Sequence, residues 1–159
     1  MTLLNKEPVK RAEKALKEFD NSMKVIELNS TARTALDAAN SLKCEVGAIV
    51  KSLLFRTEET FLLCLVSGDK RCSLNKLKKI TLLKDISMAS PEDVKSQTGY
   101  TIGGVSPIGH LKNLKIFIDG SLKRFPNIFA AAGHPNCVFK INFENLLKIT
   151  NGEIKDIVE

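Results

Sequence analysis

Two segments of this chain carry residue types that could bind a negatively charged ligand. The first is the apolar run Gly47–Phe55, which contains a single lysine, Lys51. The second is the glycine-rich loop Gly103–Gly109, with Ser106-Pro107 at its centre. Main-chain amides in such a loop can hold a carbonyl or a phosphate, and a lysine ammonium pairs with the same groups. Together the two segments predict an anion-binding site.

Lys51 is the residue with the most demanding environment. In a strand, side chains alternate between faces, so Lys51 shares its face with Ile49, Leu53 and Phe55. An unpaired ammonium there is costly. We therefore expect Lys51 either to reach solvent at the end of the sheet or to meet a negative group, which is a protein carboxylate or a substrate phosphate.

The glycine loop matches no standard nucleotide motif, because it is neither G-x-G-x-x-G nor a P-loop. Taken alone, its glycines favour a tight connection between elements over a ligand site. Ser106 has no neighbouring base that would make it a nucleophile, so we expect its hydroxyl to bond the loop backbone. His110, directly after the loop, is predicted to be structural.

Length, composition and charge limit the possible classes of protein. The chain has 159 residues, 43% of them hydrophobic, and this predicts one domain spanning 1–159 with a single sizeable core. Its 24 basic and 18 acidic residues give a net charge of +6, which favours a polyanionic partner. It has no secretory-type start and no apolar run of about 18 residues, so we expect a soluble, cytoplasmic protein with no membrane partner.

Cysteine and histidine usage predicts neither a metal nor a cofactor. The four cysteines form no C-x-x-C pair, and only two histidines, His110 and His134, could join them as ligands. Cys64 lies in an apolar run and is predicted to be a buried small hydrophobe rather than a reactive thiol. No disulfide framework is indicated.

Hydrophobic periodicity predicts an α/β (α+β mixed) domain without the regular βαβ alternation of a doubly wound fold. Ser30 or Thr31 is the expected cap of the second helix, and Ser73 that of the third. The third helix is expected to turn Leu74, Leu77 and Ile80 inward and Lys76, Lys78 and Lys79 outward. The predicted helices span 7–19, 31–42, the segment after Ser73, 91–97 and 144–149, and the predicted strands span 23–28, 49–56, 60–67, 115–119 and 137–143.

Five segments in a fixed order resemble the YbaK and prolyl-tRNA-synthetase-associated editing domain family. Each alone is weak, but the ordered set covers nearly the whole chain and is specific. The segments are IVKSLLF at 49–55, VSGDKR at 66–71, TGYTIGGVSPIG at 98–109, IFID at 116–119 and AAAGHP at 130–135.

The resemblance implies a single compact domain with a mixed, partly barrel-like sheet and surrounding helices. It also implies an enzyme similar to the editing insert of bacterial prolyl-tRNA synthetases, but free-standing. Such an enzyme hydrolyses the ester of tRNA, here tRNA(Pro), mischarged with a small amino acid such as alanine or cysteine. The implied partner is the 3′ acceptor end of misacylated tRNA, with prolyl-tRNA synthetase as a further candidate partner, and no metal is implied.

By the same resemblance, Lys51 is the catalytic residue. The loop expected to hold the terminal adenosine and the aminoacyl group comprises Gly103, Gly104, Val105, Ser106, Pro107 and Gly109. His134 and Thr31 are further candidates for the substrate pocket. For His134 the alternative is a hydrogen-bonded or solvent-facing turn residue, and for Thr31 it is helix capping.

Two other kinds of function remain open at this point. One is a non-catalytic module of the same fold that grips a tRNA acceptor end or a protein partner. The other is a protein that binds a free nucleotide or amino acid in the same pocket. The sequence leaves open which amino acid is removed, how strictly tRNA(Pro) is required and what the oligomeric state is.

Overall fold

The computed structural model describes residues 2–29 and 33–159, and within them it contains five α-helices and eight β-strands. The helices are α1 Glu7–Phe19, α2 Ala35–Leu42, α3 Leu74–Thr81, α4 Pro91–Thr98 and α5 Phe143–Thr150. The strands are β1 Ile26–Glu27, β2 Ile49–Arg56, β3 Phe61–Ser67, β4 Ser87–Met88, β5 Lys115–Asp119, β6 Ile128–His134, β7 Cys137–Ile141 and β8 Glu153–Lys155.

All eight strands form one mixed sheet in the order β1-β7-β6-β2-β3-β5-β8, with β4 also paired to β2. The hairpins β2–β3 and β6–β7 are antiparallel, whereas β2–β6, β3–β5 and β5–β8 are parallel. The prediction of a mixed sheet with surrounding helices is confirmed. Within the described residues the sheet is not a closed barrel, because β1 and β8 remain separate edges.

The β2–β3 hairpin forms the centre of the sheet. Its turn is fixed by Thr57, whose main-chain N–H donates to the Thr60 carbonyl at 2.8 Å while its hydroxyl oxygen accepts from the Thr60 N–H at 3.0 Å. Six consecutive residues of β3, 62–67, are buried. The continuous apolar sequence of these strands therefore reflects burial on both faces, as predicted.

The two faces of the sheet are covered differently. On one face α1 packs its buried residues Val9, Ala12 and Leu16 into the main core. The opposite face carries two smaller clusters, one that includes Leu77 of α3 and one that includes Ala38 and Ala39 of α2. α2 and α3 thus cover different parts of the face on which the side chain of Lys51 lies.

Two helix predictions need correction. α2 begins at Ala35 and is capped by the Thr34 hydroxyl, which accepts from the Asp37 N–H at 3.1 Å. The predicted start at Thr31 and its cap Ser30 lie outside the described residues. In α3 the Ser73 cap and the buried Leu77 are confirmed, but Leu74 is exposed.

Lys76 of α3 is not a free outward lysine. Its Nζ donates to Asp156 Oδ1 at 2.9 Å and to the Val158 carbonyl at 2.6 Å, which attaches α3 to the C-terminal segment. No helix within the described ranges combines the length and apolar character needed to cross a bilayer.

The glycine loop is attached to α1 by Arg11 and Tyr100. Arg11 Nε donates to the Gly109 carbonyl at 2.8 Å, and its guanidinium lies 4.6 Å from the centre of the Tyr100 ring. The Tyr100 hydroxyl donates to the Ile108 carbonyl at 2.8 Å. Gly109 has φ +72°, and a Cβ there would lie 2.6 Å from the Tyr100 hydroxyl oxygen, so only glycine fits this contact.

We expect Tyr100→Phe to lower the free energy of unfolding by about 1–2 kcal/mol, because the buried Ile108 carbonyl would lose its hydroxyl donor. Urea unfolding followed by circular dichroism measures this change. An unfolding midpoint equal to that of the unmodified chain, at equal m-value, would show that the hydroxyl does not hold the loop.

Candidate functional site

A cavity of about 330 Å³ opens where β2 separates from β6. The two strands pair only at Ile49–Phe129 and Val50–Ala130, and β2 gains its next neighbour on that side, β4, at Phe55. The gap between these pairings lies beside residues 51–53. The lining residues are Arg33, Thr34, Ala35, Ala38, Ile49, Val50, Lys51, Ser52, Leu53, Ile102, Gly103, Val105, Phe129, Ala131, Pro135 and Val138.

The walls of the cavity come from three parts of the chain. Strands β2, β6 and β7 form an apolar floor, the N-terminal turn of α2 forms one side, and the start of the glycine loop forms another. Among the described lining residues there are two cations, Arg33 and Lys51, and no carboxylate. The volume is at the lower end of the range of small-molecule sites. The cavity therefore fits a small, partly apolar ligand that carries negative charge or a polarised carbonyl.

Lys51 is half-buried on the floor, and its ammonium is held by main chain. Its Nζ donates to the Lys70 carbonyl at 2.5 Å. Burial lowers the pKa of Lys51, while nearby Cys72 and Asp69 act to raise it. Among the described residues no carboxylate forms an ion pair with Lys51. Of the predicted alternatives, a paired protein carboxylate is not found among the described residues, and the protein group that bonds Lys51 is a carbonyl.

A lysine ammonium has three donors, and one bond to a carbonyl leaves capacity for a ligand. Ser52, the next residue, also lines the cavity. Its Oγ is buried and has no hydrogen-bond partner among the described residues. Buried hydroxyls are normally bonded. Both residues line the cavity, but their side chains leave β2 on opposite faces, so the unused capacity of Ser52 is separate from that of Lys51.

The structure separates the predicted loop residues into three groups. Gly103 and Val105 line the cavity. Gly104 packs against the end of β6, where its carbonyl accepts from the Gly133 N–H at 3.0 Å and a Cβ would lie 2.9 Å from the His134 nitrogen. Pro107 and Gly109 line a different depression beside His110, outside the lysine cavity.

Ser106 and His110 are engaged within the loop. Ser106 is fully buried, and its hydroxyl oxygen accepts from the Ile108 N–H at 3.4 Å. His110 Nε2 bonds the Ser106 carbonyl at 2.6 Å, and its ring lies edge-on to Tyr100 at 6.2 Å between centroids. Burial lowers the pKa of His110. These contacts agree with the prediction that Ser106 bonds the loop backbone and that His110 has a structural role. Ligand contacts by Ser106, Pro107 and Gly109 stay predictions.

Of the two further candidates for the substrate pocket, the structure describes His134 but not Thr31. His134 lies at the end of β6, and its Nδ1 accepts from the Asn136 N–H at 3.0 Å. That bond supports the turn role, although the adjacent Pro135 lines the cavity. A substrate contact by His134 stays a prediction. Thr31 lies outside the described residues, two positions before the cavity-lining Arg33.

Sequence reasoning missed several lining residues. Phe129 and Ala131 occupy alternate positions of β6, which is not among the strands predicted from the sequence. Arg33 directly precedes Thr34, the cap of α2. The predicted helix 31–42 places it inside the helix instead of in the segment that lines the cavity. The Thr34-x-x-Asp37 capping pattern marks the start of α2, whereas the run 128–132 of β6 is apolar throughout and has no alternation that would distinguish its two faces.

The cysteines show no arrangement typical of a metal centre. Cys64 and Cys137 are buried, and all four thiols are free. Within the described ranges, no group of three or more His, Cys, Asp or Glu residues could hold a metal ion.

A family model and individual related proteins point to the same family. The family model for the aminoacyl-tRNA editing domain matches residues 29–149. EbsC of Enterococcus faecalis, named as a Cys-tRNA(Pro)/Cys-tRNA(Cys) deacylase, is 30% identical over 125 residues, or 78% of this chain and 76% of EbsC. A proline–tRNA ligase of Thermosipho melanesiensis is 34% identical over 111 residues, which are 69% of this chain and 20% of the ligase.

A solved structure gives the same result over nearly the full length. A crystal structure described as a trans-editing enzyme for prolyl tRNA synthetase superposes with a TM-score of 0.92 at 37% identity. The match covers 97% of this chain and 98% of that protein.

The buried His110 predicts how stability changes with pH. Because its folded-state pKa is depressed, the unfolded chain binds the proton more readily, so stability is complete above about pH 6.5 and falls as the pH drops below it. We expect His110→Gln, which can still donate to the Ser106 carbonyl, to lose less stability between about pH 7.5 and about pH 5. Urea unfolding at both pH values tests this in a His134→Gln background, because burial lowers the pKa of His134 as well. An unchanged pH dependence in His110→Gln would contradict it.

Proposed function

The chain belongs to the aminoacyl-tRNA editing domain family, and we propose on that premise that it is a trans-editing deacylase of mischarged tRNA. The observation that carries the proposal is the cationic, carboxylate-free cavity built around Lys51. The substrate class is tRNA carrying a wrong small amino acid, and tRNA(Pro) is the proposed tRNA because the relatives are named for Cys-tRNA(Pro) deacylation and for prolyl-tRNA synthetase.

The reaction is hydrolysis of an ester that is already activated. A water oxygen attacks the ester carbonyl carbon, the bond from that carbon to the ribose oxygen breaks, and a proton passes to the ribose oxygen. The products are the free amino acid and uncharged tRNA. Such a reaction needs positioning and polarisation of the carbonyl more than a side-chain nucleophile.

Lys51 supplies the positive charge in this mechanism. Its ammonium contacts the phosphate or the carbonyl region of the bound 3′ end, using the donors not taken by the Lys70 carbonyl. The amides of the loop polarise the carbonyl oxygen. The Gly104 N–H is already bonded to the Thr101 carbonyl at 2.9 Å, which leaves the amides of Gly103 and Val105 for this role. A hydroxyl of the terminal ribose orients the water.

The floor of the cavity sets the size of the amino acid. Ile49, Leu53, Phe129, Ala131 and Val138 give it an aliphatic and aromatic surface. This surface suits small side chains such as those of alanine and cysteine. Discrimination between side chains that differ by one methylene is worth only about 1–3 kcal/mol, so we expect a graded preference among small residues. Arg33 at the same cavity is positioned to contact the phosphate backbone of the acceptor end.

We expect the protein to deacylate tRNA(Pro) carrying alanine, cysteine, serine or 2-aminobutyrate faster than tRNA(Pro) carrying proline.

Lys51→Ala should remain folded yet lose about 2–4 kcal/mol of transition-state stabilisation, which is roughly thirty- to a thousandfold in rate. Lys51→Arg should rescue poorly, because a planar guanidinium does not replace a compact ammonium. Single-turnover hydrolysis at saturating enzyme measures the rates.

The control is Lys115→Ala, which removes a strand lysine whose side chain is 61% exposed and lies outside this cavity. It should behave as the unmodified chain does. A folded Lys51→Ala protein within about threefold of the unmodified rate would exclude Lys51 from the mechanism. Tight binding of the acceptor end without turnover of any mischarged tRNA would favour the non-catalytic module instead.

A further inference from the structure

We propose that the ion pair between Asp69 and Arg124 is the positioning device for Lys51, because it fixes the turn 67–70 whose last carbonyl holds the ammonium. The inference rests on the proposed function, since it needs Lys51 to act in deacylation. Asp69 and Arg124 are positioning residues in this scheme, and neither contacts the substrate.

The turn is held in place from both of its ends. The Lys70 N–H donates to the Ser67 carbonyl at 3.0 Å, and the Lys70 carbonyl accepts from Lys51 Nζ at 2.5 Å. The Ser67 hydroxyl donates to the Gly47 carbonyl. A Cβ at Gly68 would lie 2.3 Å from the Val46 carbonyl oxygen, so the turn passes close to the segment before β2. The carbonyl that holds Lys51 is therefore placed by the turn as a unit.

Arg124 fastens this turn to the segment after β5. Its Nη2 donates to Asp69 Oδ1 at 2.7 Å and its Nη1 to Asp69 Oδ2 at 3.0 Å, which is a two-point contact. The same Nη2 donates to the Ser67 hydroxyl oxygen at 2.8 Å, and the guanidinium carbon lies 4.8 Å from the centre of the Phe125 ring. One guanidinium thus bonds both Ser67 and Asp69, two residues within the four of the turn.

The Asp69–Arg124 ion pair is too exposed to contribute much to the stability of the whole fold. The side chains of Arg124 and Asp69 are 40% and 32% exposed, and ion pairs this exposed contribute little to folding. The Arg124 bond lowers the pKa of Asp69 to about 2, so its carboxylate stays charged at any working pH. A fixed negative charge beside the Lys51 cavity favours the ammonium form of Lys51.

Several charged or titratable groups face Lys51, and the test must separate them. Cys72, Asp69 and Arg71 act on Lys51 directly, and Cys72 in turn faces Cys64 and Asp119. From the α2 side, Arg33 lines the same cavity. Cys72→Ser serves as a background in which thiol titration is removed, so that any remaining change in the pH profile belongs to Lys51.

The two halves of the ion pair should move the pH profile in opposite directions. Asp69→Asn removes the negative charge, so Lys51 deprotonates more easily and the basic limb of the rate profile moves to lower pH. Arg124→Gln leaves the carboxylate uncompensated, so the basic limb moves to higher pH. Both shifts should be a few tenths of a pH unit, as fits a partly exposed pair. Both variants should also lower the single-turnover rate about tenfold, because the turn is released.

Arg124→Lys separates charge from geometry. It keeps the positive charge but loses the planar fork that bonds Asp69 twice. Its basic limb should therefore coincide with that of the unmodified chain while its rate stays low. The matched control is the exposed ion pair Lys115–Glu153, which lines neither the Lys51 cavity nor the depression that contains Lys70, and Glu153→Gln should change neither the rate nor the limb.

The experiment is single-turnover deacylation of Ala-tRNA(Pro) by the full chain and its variants from about pH 6 to about pH 9.5, corrected for spontaneous ester hydrolysis. Circular dichroism confirms folding of each variant. Opposite shifts of the limb in Asp69→Asn and Arg124→Gln, with an unshifted limb in Arg124→Lys, support the inference. Shifts of the limb in the same direction overturn the inference and leave the deacylase function intact. So do folded variants whose rate is within twofold of the unmodified rate and whose basic limb lies at the unmodified pH. An unmodified chain that hydrolyses none of the mischarged tRNAs overturns both.

Discussion

The placement of one ammonium group among apolar side chains is the constraint on which the site depends. Lys51 lies on a strand face with Ile49 and Leu53, where an ammonium without partners would be destabilising. The chain offsets that cost with a main-chain carbonyl, that of Lys70, instead of a carboxylate. A carboxylate would neutralise the lysine, whereas a carbonyl leaves its positive charge available to a phosphate or an ester.

The cavity itself follows from the course of one strand. β2 pairs with β6 at Ile49 and Val50 and next with β4 at Phe55, five positions later, and the start of the glycine loop fills part of the opening. Within the described residues, Ser52 beside this opening has a buried hydroxyl without a partner. Arg11 and Tyr100 hold the loop against α1, so the amides beside the cavity are carried by a segment that is itself fixed. A rigid loop of this kind supports catalysis by positioning.

Much of the fold could be predicted from local pattern. Helix α1, the β2–β3 hairpin and strand β5 follow from periodicity, continuous apolar runs and Pro8 in the first turn of α1, and their bounds agree with the structure closely. β4 and β8 were missed, because strands of two and three residues carry no periodic signal. The start of α2 was misplaced since Ser30, Thr31 and Thr34 are all competent caps, and local sequence does not choose among them.

The candidate site was predictable only in part, for a physical reason. Lys51 is conspicuous in an apolar strand, and the glycines of the loop mark a close approach of backbones. The contact of Lys51 with Lys70 and that of Arg124 with Asp69 join residues 19 and 55 positions apart, so they depend on sheet topology. The glycine loop likewise looks uniform in sequence, yet the fold turns Gly103 toward the cavity and Gly109 toward α1.

The most direct measurement of the central claim is the NMR signal of the Lys51 side chain, isotopically labelled at Cε and assigned by its loss in Lys51→Arg. The ligand is a trinucleotide copy of the tRNA 3′ end carrying alanine through a non-hydrolysable amide. We expect the Lys51 signal to titrate at lower pH than those of the exposed lysines and to shift on ligand addition more than any other lysine signal. Saturable binding of the ligand that leaves the Lys51 signal unmoved would contradict a catalytic ammonium at this cavity.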